Sequence, residues 1–404
     1  MAFPVGWLRK CELTIQNGKI DDALSNFPVL ITETCLPQGV DEIFDADGAH
    51  PAQNLGGDIR FSASEDGTNQ LDCEVVTFTT DNNPALGKAE LWVKVPSIAS
   101  DADTSIWIWW KTAGADSQPA EDANFGKEQT WDDGGNDWFK MVQHMDDTTT
   151  SSITDSTQYD NDGAKKGANE PIEATGAFAG GTQGKSQDFD GDDDLIDVSS
   201  LATLMVAGGY TVSIWLKKAP GEGGTRMGYL SDEDGGSYQS YIQMSQTAAL
   251  RFEDDAGNFG SVDIELSEAE QENWHCYVLR VDSSGDDNVF YDGAFVDVSA
   301  ATFGDVTYLY IGPGYRAEPL WNGLMDEIRL SNTERSAAWI KAEFENQSDP
   351  HAFIVEGTPE AVGINLNIGD VWKSVDGVQI DIGVVWKTIA EIYTNIGNAW
   401  KRIV

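Results

Sequence analysis

The chain has 404 residues, with 68 acidic side chains against 25 basic ones and a formal net charge of -43. Apolar residues make up 40% of it, enough for real cores, which excludes wholesale disorder; the length predicts two or three domains. The charge excludes a general nucleic-acid binder, because phosphate would be repelled over nearly the whole surface.

The acids are 43 Asp and 25 Glu, alongside 41 Gly. Asp favours turns and caps where Glu favours helices, so this excess predicts many loops and few helices. Asp-rich loops can also hold Ca²⁺, which takes oxygen ligands, although solubility in a saline habitat is the simpler cause. Residues 1–10 lack the apolar core of a secretory signal, and no stretch reaches the roughly 18 apolar residues of a membrane span. Neither general secretion nor membrane insertion is expected, and release by lysis, as for a virus particle, fits. Cys11, Cys35, Cys73 and Cys276 have no metal-type spacing; pairing is open to them but nothing demands it, and they read as buried free thiols.

In chain order, residues 1–128 read as strands. Cys11, Leu13 and Ile15 alternate with polar residues, and the runs 27–32, 89–95 and 105–110 are apolar between Gly, Asp, Asn and Pro clusters. That pattern predicts an antiparallel sandwich. Trp107 and Trp109 share one strand face and Trp110 lies on the other; sugar stacking is conceivable, core packing the simpler role. Residues 115–137 read as a connection.

A second β-rich region spans 129–357, with strands expected at 210–216, 274–279, 288–291 and 309–311 and a turn at 291–294. Ala337, Ile340 and Phe344 recur at helical spacing, which predicts one helix over 333–344.

Residues 358–404 form a tail with a repeat: Ile-Gly-Asp-Val-Trp-Lys at 368–373, Ile-Gly-Val-Val-Trp-Lys at 382–387 and Ile-Gly-Asn-Ala-Trp-Lys at 396–401. Trp372, Trp386 and Trp400 recur every 14 residues. Units this short cannot bury their own tryptophans, so the tail reads as a docking or oligomerisation module; a small appendage folded onto the preceding domain is the alternative.

Two regions resemble known families. Trp7-Leu8-Arg9-Lys10, Phe27-Pro28-Val29-Leu30, Asp58-Ile59-Arg60-Phe61 and Trp92-Val93-Lys94-Val95-Pro96 resemble a β-rich domain of unknown function. That domain precedes concanavalin A-like domains in bacterial and phage surface proteins. Its usual Tyr-Tyr-Gly-Asn-like end reads Trp109-Trp110-Lys111-Thr112 here. The segments 138–145, 155–163, 189–194, 212–215, 291–293, 310–312 and 323–329 are similar, in order and spacing, to a laminin-G-like, concanavalin A-like jelly roll. The Trp-Lys repeat resembles short repeats of phage tail proteins. The resemblances imply an all-β chain: two β-sandwich (jelly-roll) domains in series, 1–128 and 129–357, and a small β-repeat tail.

Four kinds of chemistry bear on the function. The laminin-G-like resemblance implies a structural Ca²⁺ between the Asp-rich strand entry and a late Asp-Glu pair, here Asp190, Asp192 and Asp194 with Asp326. Alternatively Asp192 and Asp193 solvate a turn and Asp326 accepts backbone hydrogen bonds. Glycoside hydrolysis needs paired carboxylates across a cleft; Asp263, Glu265 and Glu268 have a suggestive spacing but run into Glu270 and Glu272 like a loop or short helix. His50, His144, His275 and His351 are scattered singly, without a metal pair or a nucleophile elbow. No catalytic residue is assigned. For glycan or receptor binding, loop-edge aromatics are the candidates: Tyr238 and Tyr241 near Asp232 and Asp234, with Tyr315, Arg316 and Trp321.

The expectation is a non-enzymatic bacteriophage protein of the virion exterior, as tail fibre, tail tip or decoration. Its tail would bind other virion proteins or make a homo-oligomer, with a trimer as the fibre-like option, and its jelly roll would bind a host surface glycan. A cell-surface or extracellular carbohydrate-binding adhesin is the alternative.

Overall fold

The computed structural model describes residues 3–112, 114, 116–132, 139–147, 152–165, 170–177, 184–198, 209–221, 226–234, 237–244, 249–253, 259–263, 267–282, 287–299, 309–312, 321–362, 364–368, 371–375, 379–382, 385–388, 393–396 and 399–402; in 226–263 and beyond 363 the description is of backbone. The fold is all-β, with three short α-helices, one longer α-helix and four single-turn 3-10 helices among the described residues.

The first sandwich packs two sheets on one core. Arg9–Ile15 pairs antiparallel with Thr104–Trp110, which also pairs with Arg60–Ser62. The second sheet is Leu24–Thr32, Lys88–Ile98 and Cys73–Thr79. Alternation decides the inner face: Cys11, Leu13 and Ile15 meet Val29, Ile31, Leu91 and Val93 in one buried cluster. Trp109 and Trp110 are buried, their indole N–H groups donating to Ser62 Oγ and the His50 carbonyl, each at 2.8 Å. They are packing residues, as expected for most of this aromatic run.

The second sandwich is a jelly roll. One sheet runs Ile172–Thr175, Lys185–Asp190, Asn322–Ser331, Tyr210–Lys218, His275–Val281, Asp287–Tyr291 and Ala294–Ser299, with Phe139–Gln143 also on Asn322–Ser331. The other runs Phe259–Asp263, Ala249–Glu253, Ser237–Met244, Arg226–Asp234, Leu309–Ile311, Ile196–Val198 and Ala164–Lys165. The hairpin turn expected at 291–294 is present, with Asp292 at φ 46° and Gly293 at φ 75°, the left-handed pair a two-residue hairpin needs.

Asn322–Ser331 carries a bulge that shapes everything near it. Its pairing with Tyr210–Lys218 shifts by one residue between Arg329 and Asp326, and Glu327 sits at φ 48°. Met325, Ile328 and Leu330 fill the jelly-roll core. Asp326 and Glu327, which simple alternation puts on opposite faces, both stand between two core residues, and both are 1% exposed.

The boundary expected at 357 does not follow the packing. The helix Ala337–Ser348, capped by the Ser336 hydroxyl, begins and ends four residues later than the expected 333–344. It wedges between the sandwiches: Trp339 and Ala342 enter the first core, while Ile340 and Phe344 pack with Trp215 and Phe290. The chain then returns to the first sheet. Ile354–Glu356 and Glu360–Ala361 both pair antiparallel with Arg9–Ile15, so that sandwich is closed by residues about 340 positions downstream of its first strand.

The described residues beyond 363 pair as three hairpins, Ile364–Ile368 with Val371–Val375, Gln379–Ile382 with Val385–Thr388, and Tyr393–Ile396 with Ala399–Arg402. Their registers are equivalent: Trp372, Trp386 and Trp400 pair with Asn367, Asp381 and Asn395. All four cysteines are buried and unpaired. Among the described residues no helix is long and apolar enough to cross a membrane.

Candidate functional site: one face of the seven-stranded sheet

Backbone pairing in the seven-stranded sheet brings distant residues into one row. Leu309 and Ile311 are core residues, and so are their partners Val198 and Ile196. Tyr310, between them and half-buried, therefore belongs to the face turned away from the core, and so does its partner Asp197. Tyr310 also pairs with Ser231, Ser231 with Tyr241, and Tyr241 with Glu253. Directly opposed residues share a face. The row Glu253–Tyr241–Ser231–Tyr310–Asp197 thus crosses five strands on the outer face.

A bulge adds a second aromatic from the same strand. Tyr238 and Tyr241 are three apart, a spacing that alternation puts on opposite faces. The pairing of Arg226–Asp234 with Ser237–Met244 shifts between Asp232↔Ser240 and Glu233↔Tyr238, leaving Gln239 as the extra residue. Tyr238 pairs with Glu233 and Tyr241 with Ser231, and Glu233 and Ser231 are two apart. Both tyrosines therefore occupy the outer face.

The row combines aromatic rings with hydroxyl and carboxylate acceptors, the residue types a neutral polyhydroxylated ligand uses. Sequence reasoning singled out Tyr238 and Tyr241 and missed Ser231, Tyr310, Glu253 and Asp197. Only the cross-strand register joins these, and no local pattern encodes it.

The other predicted residues lie elsewhere. Tyr315 and Arg316 fall outside the described residues. Trp321 is not a recognition residue: it is 0% exposed inside the jelly-roll core, and a ring without accessible surface cannot stack on a ligand. Asp232 and Asp234 are on Arg226–Asp234 beside Tyr238. Trp372, Trp386 and Trp400 have the equivalent hairpin positions given above.

The Asp-rich turn is a separate feature. Carboxylate oxygens of Asp190, Asp193 and Asp194 come within 4.8 Å of one another. Asp190 Oδ1 accepts from the Asp192 and Asp193 N–H groups at 2.8 and 3.3 Å, and Asp194 Oδ2 accepts from the Asp190 N–H at 2.7 Å. Gly191 is required, at φ 76° and with Asn322 Cβ 2.7 Å from where a Cβ would stand. Burial, then crowding by Asp190, Asp193 and Asp188, pushes Asp194 up to about 6. Asp326 is not part of this group: its oxygens accept the Ala177 and Glu327 N–H groups at 2.7 and 2.8 Å. It is a buried backbone acceptor, and Asp192 is an exposed turn residue.

The acidic run after Asp263 does not form one catalytic strand. Asp263 ends a strand, and Ser267 with Glu270 makes a capping box on the helix Glu268–Gln271. Glu265 lies outside the described residues. His275, on a strand rim, is held by Asp292 at 2.7 Å and by the Glu270 carbonyl.

Two family models match the chain and agree with this architecture. Residues 190–341 match the concanavalin A-like lectin/glucanases superfamily, and residues 55–162 match a domain of unknown function, DUF2341. No curated protein matches the chain. Similar solved structures include the botulinum neurotoxin serotype D ligand-binding domain in complex with N-acetylneuraminic acid, 13% identical, with a TM-score of 0.41 over 52% of each chain. The binding domain of Paraclostridial Mosquitocidal Protein 1 is 12% identical, with a TM-score of 0.39 over 52% of each chain. Domain 4 of an extracellular arabinanase from Geobacillus stearothermophilus, in complex with arabinotriose, is 20% identical, with a TM-score of 0.37 over 50% of this chain and 97% of that one. The chain spans about half the length of the toxin binding domains it matches. It contains a DUF2341 domain and, after it, a concanavalin A-like domain.

Proposed function

We propose that the protein is a non-catalytic glycan- or receptor-binding component of a bacteriophage particle's exterior, as tail fibre, tail tip or decoration. The observation that carries the binding part is the outer row of Tyr241, Ser231 and Tyr310, flanked by Glu253 and Asp197, on a domain of the concanavalin A-like lectin/glucanases superfamily. A tyrosine face covers the apolar face of a sugar ring and the Ser231 and Glu253 oxygens accept its hydroxyls, while Asp197, only 7% exposed, borders the row. A Ca²⁺ ion at Asp190–Asp194 would relieve the crowding there; the donors suit a hard cation in type, and two of their oxygens, Asp190 Oδ1 and Asp194 Oδ2, already accept backbone N–H groups.

The virion part rests on the tail. A two-stranded hairpin is marginal alone, so three hairpins in equivalent register fit a tail that is completed by other virion proteins or by further copies of this chain, as in a trimer. A tail-deleted form should end after Val362, which keeps Glu360–Ala361 on the first strand.

Glycan-array binding by the full chain tests the first part. Tyr241→Ala and Tyr310→Ala should each weaken binding about tenfold, or about 1.4 kcal/mol, with the fold intact. Wild-type affinity in both variants would remove this face from the account. Density-gradient fractionation of a lysed culture tests the second part. Co-banding with particles is expected; recovery with the cell envelope or the medium instead would favour the adhesin alternative.

A further inference from the structure

Where the two sandwiches meet, one histidine stands between carboxylates from both. His144 follows the strand Phe139–Gln143. Its Nε2 lies 3.2 Å from Glu74 Oε2 on Cys73–Thr79, and its Nδ1 lies 2.6 Å from Glu327 Oε1 on Asn322–Ser331. Neutral imidazole has one N–H and one lone pair, so two carboxylate partners require the doubly protonated ring. The three side chains are 3%, 6% and 1% exposed.

Each carboxylate is fixed by further donors. Glu74 accepts the Ser156 hydroxyl at 2.7 Å and the Trp131 indole N–H at 2.6 Å. Glu327 accepts Arg329 Nε at 3.0 Å and Arg329 Nη2, and Arg329 Nη1 donates to Glu343 at 3.0 Å. The Trp92 ring stacks on His144 at 5.7 Å and carries the Arg329 guanidinium 4.1 Å from its centroid.

Three other carboxyls influence the ring. Glu90 Oε1 is 3.9 Å from Nδ1, and Asp146 and Asp326 are electrostatically coupled to it. Carboxyls thus outnumber the two buried cations, His144 and Arg329. Burial by itself would lower the pKa of His144, but Glu327 and Glu74 more than reverse this and hold it well above the ordinary histidine range. Burial and then Glu327 push Glu90 and Asp326 well above the usual carboxylate range. A cleft of about 700 Å³, lined by Glu74, Glu121, Asp122, Lys127, Glu128 and Asp160 among others, gives solvent a route to the Glu74 side.

We propose that His144 is a proton-dependent clamp between the two sandwiches, engaged while its imidazolium bridges Glu74 and Glu327 and released when the ring loses a proton to alkaline solvent. Release sets a nitrogen lone pair against a buried carboxylate. Arg329 still neutralises Glu327, so the contact that fails is the one to Glu74, across the junction. The clamp does not depend on glycan binding or on the virion reading.

The test uses the full chain labelled with ¹⁵N-histidine, read by NMR from pH 5.5 to 9.5 and paired with thermal unfolding over the same range. One of the four histidines, identified by its perturbation in Glu74→Gln, should keep imidazolium shifts at pH 7.5, about one unit above the ordinary histidine value near 6.5. Unfolding should be a single transition at pH 6 and split into two as that ring titrates. Glu74→Gln should move the split to lower pH. Neutral-ring shifts for His144 at pH 7 would overturn the clamp, as would a single transition that persists while the ring titrates. So would a Zn²⁺-dependent shift of Nδ1, which would make the ring a metal ligand instead.

Discussion

The turn at 190–194 and the junction around His144 are both built from carboxyls, yet one stands at the surface and the other in the interior. At the turn, Asp190, Asp192 and Asp193 are exposed, Asp190 Oδ1 accepts the Asp192 and Asp193 N–H groups, and burial with crowding pushes Asp194 up to about 6. At the junction Glu74, Glu90, Asp326 and Glu327 are buried, and each charge needs either a cation or a proton. The sequence shows the turn as one Asp-rich run and scatters the junction's acids from Glu74 to Glu327. Water screens one, and the interior converts the other into a network that joins two domains.

The largest expected effect is at the junction. Arg329→Met leaves Glu327 and Glu343 buried without their cation, which should cost about 3–5 kcal/mol in urea unfolding at pH 7. The deficit should shrink toward pH 4, where the freed carboxyls can take up protons. A loss below about 1 kcal/mol would mean that these charges behave like surface ones and would collapse the contrast. Trp321→Ala should cost a similar 3–5 kcal/mol by opening a cavity. Trp321→Phe should keep ligand binding at the wild-type level, as befits a core residue; selective loss of binding would restore Trp321 to the recognition surface.

The pH response sharpens the same comparison. The folded-state pKa of His144 is raised, so its contribution is complete below the unfolded value near 6.5 and is lost as pH rises through the folded value. Glu90 and Asp326, also raised, act in the same direction from about pH 4 upward. Stability should therefore fall on the alkaline side, by at most about 1.4 kcal/mol per pH unit for each proton held. Glu327, whose pKa is lowered because His144 and Arg329 outweigh its burial, opposes this only below the ordinary carboxylate range. A flat profile from pH 7 to 9.5 would count against a charged His144.

The smallest effect belongs to the turn. Asp194→Asn keeps an acceptor for the Asp190 N–H and removes a charge whose folded pKa is raised. Without metal, the variant should match wild type near pH 4 and be modestly more stable above pH 6, because the crowding it relieves exists only when Asp194 is ionised. If Ca²⁺ binds, wild type should gain thermal stability on adding it and the variant should gain less; equal responses would argue against an ion at this turn.

Much of the fold was legible locally. The strands expected at 11–15, 27–32, 89–95 and 210–216 fall inside Arg9–Ile15, Leu24–Thr32, Lys88–Ile98 and Tyr210–Lys218. Alternation and turn residues act within a few positions of themselves, so a sequence displays them. The candidate binding face was half legible: Tyr238 and Tyr241 were singled out, but the bulge at Gln239 and the neighbours Ser231 and Tyr310 were not. Trp321 misled because an aromatic near a loop reads the same whether it caps a core or meets a ligand.

What the sequence by itself determined was the all-β class, the acidic surface and the periodic tail, since composition and short-range pattern suffice for these. Tertiary structure alone decided that Ile354–Glu356 closes the first sheet, that the Glu327 bulge turns two acids and Arg329 out of one core, and that His144 meets Glu74 and Glu327. Those partners are 70 and 183 positions from His144 in the chain. An interaction that exists only after two separately formed sheets have docked leaves no local trace, because its energy comes from the burial that docking creates.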